Sequence, residues 1–283
     1  MNSVKTKNKY IRVVIIVILS LFAIFALLPF YFLIISAFKP GVEMIRYGIT
    51  LNPHFDKFTL DQFKLLLDPS ESNYFFWYRN SLLYTGVQVV LGLILTAMVG
   101  YGLGIYKRFK GRRFIFMLVL LVMMLPVEIM MLPLYKEMVF FEFFDKVWGV
   151  VLPFAVFPPA VFFFRQYALG LPEELMDSGR IDGLTEYGIF ARIMVPLMKP
   201  AFGAMTILIS MSSWNSIVWP MVVLRSNNKL TIPIGLSTLI TPYGNNYDLL
   251  MPGAVIAVIP IIILFMLNQK AFIEGLTAGG VKG

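Results

Sequence analysis

Six long runs without basic residues dominate this sequence and limit what it can fold into. A helix that rises 1.5 Å per residue needs about 20 apolar residues to cross a hydrocarbon layer of about 30 Å. Hydrophobic residues make up 58% of the chain and charged residues only 14%, so the sequence predicts an all-α integral membrane protein with six transmembrane helices. The runs are 13–38, 80–106, 114–135, 147–164, 200–224 and 249–269, and the third contains one acidic residue, Glu128.

Basic residues cluster in two of the segments that flank these runs. Four lie in residues 1–12 and five in residues 107–113. Because Lys and Arg are enriched in cytoplasmic loops, we expect both segments, and after six crossings the C-terminus, to be cytoplasmic, with 39–79 outside. Residues 13–283 then form the transmembrane domain of a multi-pass protein of the cell membrane. The first run is too long for the apolar region of a secretion signal and no A-x-A site follows it, so we expect an uncleaved helix.

The composition excludes several chemistries. The chain has no cysteine and one histidine, His54. We therefore expect no disulfide, no metal centre and no enzymatic pair of nucleophile and base. No Gly-x-x-x-x-Gly-Lys-Ser/Thr motif occurs, so this chain is not expected to bind ATP by that motif. The net charge of +8 is explained by the cytoplasmic loops rather than by nucleic acid, and the expected surroundings are lipid.

Two runs carry packing signals. Gly92, Thr96, Gly100 and Gly104 recur every four residues and form one small-residue face, which allows another helix to approach closely. The fourth run contains three prolines within 153–159, so we expect a kinked helix whose freed carbonyls are satisfied by neighbouring groups.

The loop 165–199 predicts two short helices. Pro172 suits the first helical position, and acidic residues in the next turns complement the helix dipole. Gly183 breaks the pattern, a second helix can begin near Thr185, and Pro196 ends it before the fifth run. Periodicity alone leaves open whether this bent projection is gripped by a soluble partner or is simply an ordered loop.

The same loop resembles the signature of the permeases of ABC importers. That signature has Glu-Ala-Ala, three residues, Gly, and nine residues later Ile-x-Leu-Pro. Here Gly183 and the spacing are retained, with Asp177-Ser178-Gly179 in place of Glu-Ala-Ala and Ile193-x-Val195-Pro196 at the end. Further matches to the carbohydrate branch are Leu132-Pro133-Leu134-Tyr135, Trp214-Asn215, Trp219-Pro220 and the tail 275–283.

The resemblance is to the six-span member of the permease pair in maltose-type oligosaccharide importers, and it implies the type I ABC importer permease fold. It also implies a second permease subunit, two ATPase subunits that bind ATP and Mg, and an extracellular sugar-binding protein. The chain itself then needs no cofactor. A secondary transporter coupled to ions remains the alternative function, although repeated halves with broken helices and more intramembrane charges would be expected for it.

Two sets of site residues follow. By resemblance, the loop docks on the ATPase as a coupling helix, with Leu175 and Met176 as apolar anchors and Asp177 as a charge partner. Its residues are Pro172, Glu173, Glu174, Leu175, Met176, Asp177, Arg180, Asp182 and Gly183. Polar groups able to face a sugar in the substrate path are Glu128, Ser213, Trp214 and Asn215. For Glu128, a structural carboxylate bound to nearby backbone is the favoured interpretation, and a group that faces the sugar or carries a proton is the alternative. The identity of the sugar stays open.

Overall fold

The computed structural model describes residues 2–48, 54–242 and 244–280. The last three residues of the tail motif, 281–283, lie outside this range. The helices are α1 (Asn2–Ala37), α2 (Gly41–Tyr47), α3 (Asp61–Leu67), α4 (Tyr74–Ile105), α5 (Arg112–Met124), α6 (Val127–Phe140), α7 (Val147–Val151), α8 (Pro158–Ala168), α9 (Glu174–Ile181), α10 (Glu186–Ile189), α11 (Val195–Leu197), α12 (Lys199–Trp214), α13 (Val218–Val223), α14 (Ile232–Thr238) and α15 (Tyr247–Gly280). A two-stranded antiparallel hairpin, β1 (Ile240–Thr241) and β2 (Gly244–Asn245), precedes α15.

Three of these helices are long and apolar enough to cross a membrane without a break: α1, α4 and α15. Three further candidates are bent pairs, namely α5 with α6, residues 147–154 with α8, and residues 186–197 with α12. By length and composition, the described residues therefore contain up to six candidate crossings if each bent pair is one span. The all-α fold expected from the sequence is confirmed, although half of the candidate spans are broken.

Prolines account for only some of the bends in these three candidate spans. The kink expected in the fourth run is present, with 46° between residues 147–154 and α8. The Gln88 side chain donates a hydrogen bond to the Phe154 carbonyl at this kink, as expected for a freed carbonyl. The third run, expected as one helix, is bent by 106° at Leu125-Pro126. Pro126 pushes Leu125 into an extended conformation, with ψ 121°, and so ends α5.

The chain divides into two compact units. One comprises residues 1–74 and 238–257, and the other residues 75–237 and 258–283. In the first unit, the Gly41 amide donates to the Asp248 carboxylate over 2.6 Å, and the Tyr74 hydroxyl donates to the Gly253 carbonyl over 2.6 Å. These contacts join α2 and the start of α4 to the start of α15.

The second unit contains the main core and both predicted sites. The small-residue face of α4 packs against α8 as expected: a Cβ added to Gly100 would lie 2.6 Å from the Phe164 Cβ, and one added to Gly104 would lie 2.9 Å from the Ala168 Cβ. Met198 and Met205 complete this core from α12 and the turn before it. Close approach of α4 and α8 thus fixes the frame on which the loop 165–199 is mounted.

Candidate functional site

The loop 165–199 has the bent two-helix form that the sequence predicts, although its first helix, α9, begins at Glu174 and not at Pro172. Helix α9 ends at Ile181, and Gly183 follows with a φ of +79°, in the left-handed region that favours glycine. The Thr185 hydroxyl then accepts a hydrogen bond from the Gly188 amide over 3.1 Å and caps α10. The chain continues through a π-helical turn at residues 190–194 into α11.

The expected coupling residues occupy different faces of this loop. Met176 is only 2% exposed, and its sulfur accepts a hydrogen bond from the Tyr101 hydroxyl of α4 over 3.7 Å. The expectation that Met176 is an anchor for a partner is therefore wrong, because its side chain is committed to the core of this chain. Leu175, at 38%, is the exposed apolar neighbour. Pro172, Glu173, Glu174, Asp177, Arg180, Asp182 and Gly183 are all exposed.

Sequence reasoning missed two exposed apolar side chains of the loop, one at the end of α9 and one within α10. Ile181 is 86% exposed and Tyr187 is 77% exposed. Both side chains are therefore accessible on the surface of this chain. The signal was present in the sequence, because Ile181 lies on the face opposite the buried Gly179 in a short helix with polar neighbours.

Charged side chains link the two helices of the loop. The Arg180 guanidinium donates to Asp177 over 2.7 Å and to the two oxygens of Glu186 over 2.9 and 3.3 Å. The hydrogen bond from Arg180, and to a smaller extent that from the Tyr106 hydroxyl, lowers the pKa of the Glu186 carboxyl. Burial acts in the opposite direction. Glu186 therefore stays ionised down to a pH below its ordinary pKa, and the link is lost only as the pH falls through that lowered value.

A cavity of about 510 Å³ lies between α4, α6, the 147–154 segment and the end of α12. This volume is in the range of ligand pockets. Three of the four residues expected in the substrate path line it: Glu128, Ser213 and Asn215. Trp214 does not. It is buried and packs edge-on against Tyr78, with ring centroids 6.1 Å apart, so it supports the wall rather than facing the space.

The cavity surface combines hydroxyls, amides and aromatic rings. Thr231 is 5% exposed, and its buried hydroxyl has no hydrogen-bond partner among the described residues. Glu128 is exposed on the cavity surface, and its carboxylate makes no hydrogen bond in the described part of the chain. The polar lining residues are Ser81, Tyr84, Thr85, Gln88, Glu128, Ser212, Ser213, Asn215, Ser216 and Thr231.

Comparison with known proteins gives matches over most of this chain. Residues 88–277 match the family of the binding-protein-dependent transport system inner membrane component. An arabinooligosaccharides transport system permease protein of Bacillus subtilis is 51% identical over 96% of both chains. A lactose transport system permease protein of Rhizobium radiobacter is 30% identical over 94% of both chains.

A solved structure shares the fold. A chain of a bacterial ABC transporter involved in the import of the acidic polysaccharide alginate superposes with a TM-score of 0.79, at 23% identity, covering 94% of this chain and 98% of that one. The family match spans the loop and all the residues that line the cavity except Ser81, Tyr84 and Thr85. The chain therefore belongs to the family of binding-protein-dependent transport system inner membrane components, the permeases of ABC importers.

Proposed function

We propose that this permease is one of two membrane subunits of an ATP-driven importer of neutral oligosaccharides, with arabinose-containing oligosaccharides as the first candidates. The observation that carries the proposal is the 51% identity, over 96% of both chains, with an arabinooligosaccharide permease. In this proposal the chain forms half of the translocation path and binds neither ATP nor Mg itself. A second permease, two ATPase subunits and an extracellular sugar-binding protein complete the transporter.

The chemistry of the cavity supports a neutral substrate. Hydroxyls and amides can exchange hydrogen bonds with sugar hydroxyls, and the Phe154 and Phe157 rings offer apolar faces. Neither lysine nor arginine occurs among the lining residues that the structure describes, while Glu128 is acidic. An anionic sugar would meet repulsion from Glu128 without a compensating cation.

Within the loop 165–199, residues 172–187 form the proposed contact with the ATPase, with Ile181, Tyr187 and Leu175 as its apolar anchors. Burial of an exposed apolar side chain contributes about 1.5–3 kcal/mol, whereas an exposed ion pair contributes about 0–1 kcal/mol. Docking is therefore expected to depend more on these apolar side chains than on Asp177. The cytoplasmic position of both termini belongs to the same proposal.

Reconstituted proteoliposomes test the proposal. The chain is co-purified with its associated subunits and supplied with the sugar-binding protein and radiolabelled arabinotriose. Uptake is expected with ATP on the ATPase side, and a partner ATPase inactivated at its phosphate-binding lysine should abolish it. An excess of unlabelled arabino-oligosaccharide should compete, and an alginate oligosaccharide should not. Uptake driven by a proton or sodium gradient without ATP would instead favour the secondary transporter, and competition by alginate alone would contradict the neutral substrate.

A further inference from the structure

Helix α4 joins the two parts of the site. It is a continuous helix of 32 residues, which corresponds to a length of about 48 Å. Its first half carries Ser81, Tyr84 and Gln88, which line the cavity. The residues just after its end, Tyr106 and Lys107, contact the loop 165–199. One rigid element thus reaches from the cavity to the proposed ATPase contact.

The end of α4 holds α9 on both sides. Before α9, the Lys107 ammonium forms an ion pair with Glu173. After α9, the Tyr106 hydroxyl donates a hydrogen bond of 2.5 Å to Glu186. Arg180, within α9, donates to the same Glu186 carboxylate. A displacement of α9 relative to α4 would therefore break contacts at two points.

Apolar packing reinforces this attachment. The Tyr101 ring of α4 lies 5.2 Å from the Phe190 ring, and its hydroxyl reaches the buried Met176. Inside the loop, a Cβ added to Gly179 would lie 2.7 Å from the Ile193 side chain, so α9 is pressed closely against the turn that follows α10. Close-packed contacts of this kind move as a block.

The covalent connection from the loop to the cavity is less direct. It runs through the π-helical turn 190–194 and Pro196, and then bends by 80° before α12 begins. π-helical turns and prolines interrupt the regular hydrogen-bond ladder and are sites of bending. Two elements therefore connect the loop to the cavity, namely α4 and the segment 190–197 with α12. Because α4 is unbroken, it is the stiffer of the two.

From these contacts, and resting on the proposed function, we propose that Tyr106 and Glu186 are positioning residues. They tie the coupling loop to α4, so that movement imposed on the loop by the ATPase reaches the cavity through α4 as well as through α12. Neither residue needs to touch the ATPase or the sugar. Loss of the tie should leave ATP hydrolysis in place while less of it is converted into transport.

A double-mutant cycle tests the proposal in the reconstituted transporter. The variants are Tyr106→Phe, Glu186→Gln and their combination, and the measurement is the sugar imported per ATP hydrolysed. Because substitutions along a coupling route change coupling by about 2- to 30-fold, each single variant is expected to lower the ratio within that range. The sugar imported per ATP hydrolysed should be no lower in the double variant than in the single variant with the larger loss, because both substitutions remove the same contact. Unchanged single variants, or fold-losses that multiply in the double variant, would overturn the proposal.

Two controls separate positioning from general damage. Tyr167→Phe removes a hydroxyl without a hydrogen bond in the described structure, and Arg192→Gln removes an exposed charge of the same loop that forms no ion pair within the described ranges. Both are expected to keep the wild-type ratio. Glu186→Asp retains the charge and should restore part of the ratio lost in Glu186→Gln. Equal losses in the controls, or no recovery with Asp, would contradict a specific tie.

A structural measurement can test the attachment of the loop to α4, here called the tie, even if the reconstituted transporter shows no uptake. Because the chain has no cysteine, spin labels can be placed cleanly at Lys110→Cys and Ser178→Cys in the purified full-length protein. Glu186→Gln is expected to broaden the distribution of distances between the labels, and Arg192→Gln is not. An unchanged distribution in Glu186→Gln would overturn the tie. Absence of ATP-driven uptake by the wild type would count against the proposed function alone.

Discussion

At the scale of single residues, Gly183 gives the sharpest prediction. Its φ is +79°, and a Cβ added there would meet nothing within 4 Å, so the cost of a side chain comes from the backbone alone. The left-handed conformation costs an ordinary residue about 1–2 kcal/mol, or roughly a tenfold loss of the bent form. We expect Gly183→Val to lower ATP-driven uptake strongly and Gly183→Ala to do so less, measured in vesicles with equal amounts of transporter.

Gly183→Asn is the matched control for this strain, because asparagine enters the left-handed region more readily than other residues with a side chain. Its uptake should be nearest to that of the wild type. Equal activity of the Val and Asn variants would contradict the role assigned to the bend.

Single residues also show where reading the sequence stops being sufficient. Leu175 and Met176 are adjacent apolar residues in a short helix, and nothing in the local pattern says which of them faces inward. The Tyr101 hydroxyl of α4, 75 positions away, decides this by contacting Met176. Gly183, by contrast, was predictable because its requirement is local and lies in the backbone.

At the scale of helices, the contact between α4 and α8 can be tested without any transport assay. An added Cβ at Gly100 would lie 2.6 Å from the Phe164 Cβ and 2.9 Å from the Val161 carbonyl, and backbone cannot move aside as a flexible side chain can. Overpacking of this kind costs about 1–3 kcal/mol. Gly100→Ala is therefore expected to lower the melting temperature of the detergent-solubilised protein.

Gly102→Ala provides the comparison on the same helix, since an added Cβ there has nothing within 4 Å. It should leave the melting temperature unchanged or raise it, because alanine favours a helix by about 1 kcal/mol over glycine. A similar decrease for both variants would indicate that the close approach of the two helices is not the cause.

Helix breaks were only partly predictable for a physical reason. Pro29 lies inside α1 and Pro133 inside α6 without ending either helix, whereas Pro126 separates α5 from α6 at 106°. A proline inside a helix removes one backbone hydrogen bond, but tertiary packing decides whether the helix continues or turns. Three prolines close together, as in 153–159, made the bend before α8 predictable, and an isolated proline did not.

At the scale of the whole molecule, apolar runs predicted the number of candidate crossings but not the cavity. Its lining comes from α4, from Glu128, from the end of α12 and from Thr231, which are spread along the chain between residues 81 and 231. Polar residues in apolar runs indicated Glu128, Ser213 and Asn215, because a polar group in lipid needs a reason to be there. Ser81, Tyr84, Gln88 and Thr231 are brought to the same space only by packing.

The membrane topology is the prediction that belongs to this scale. If each bent pair crosses once and the basic segments face the cytoplasm, residues 70 and 142 lie outside and residues 110 and 178 inside. With no native cysteine in the chain, single substitutions Ser70→Cys, Glu142→Cys, Lys110→Cys and Ser178→Cys can each be probed in intact cells with a membrane-impermeant maleimide. We expect immediate labelling of the first two and labelling of the other two only after the membrane is opened, with the cysteine-free parent as the blank. Protection of Glu142→Cys in intact cells would mean that α5 and α6 turn back without crossing, and five crossings instead of six would place the two termini on opposite sides.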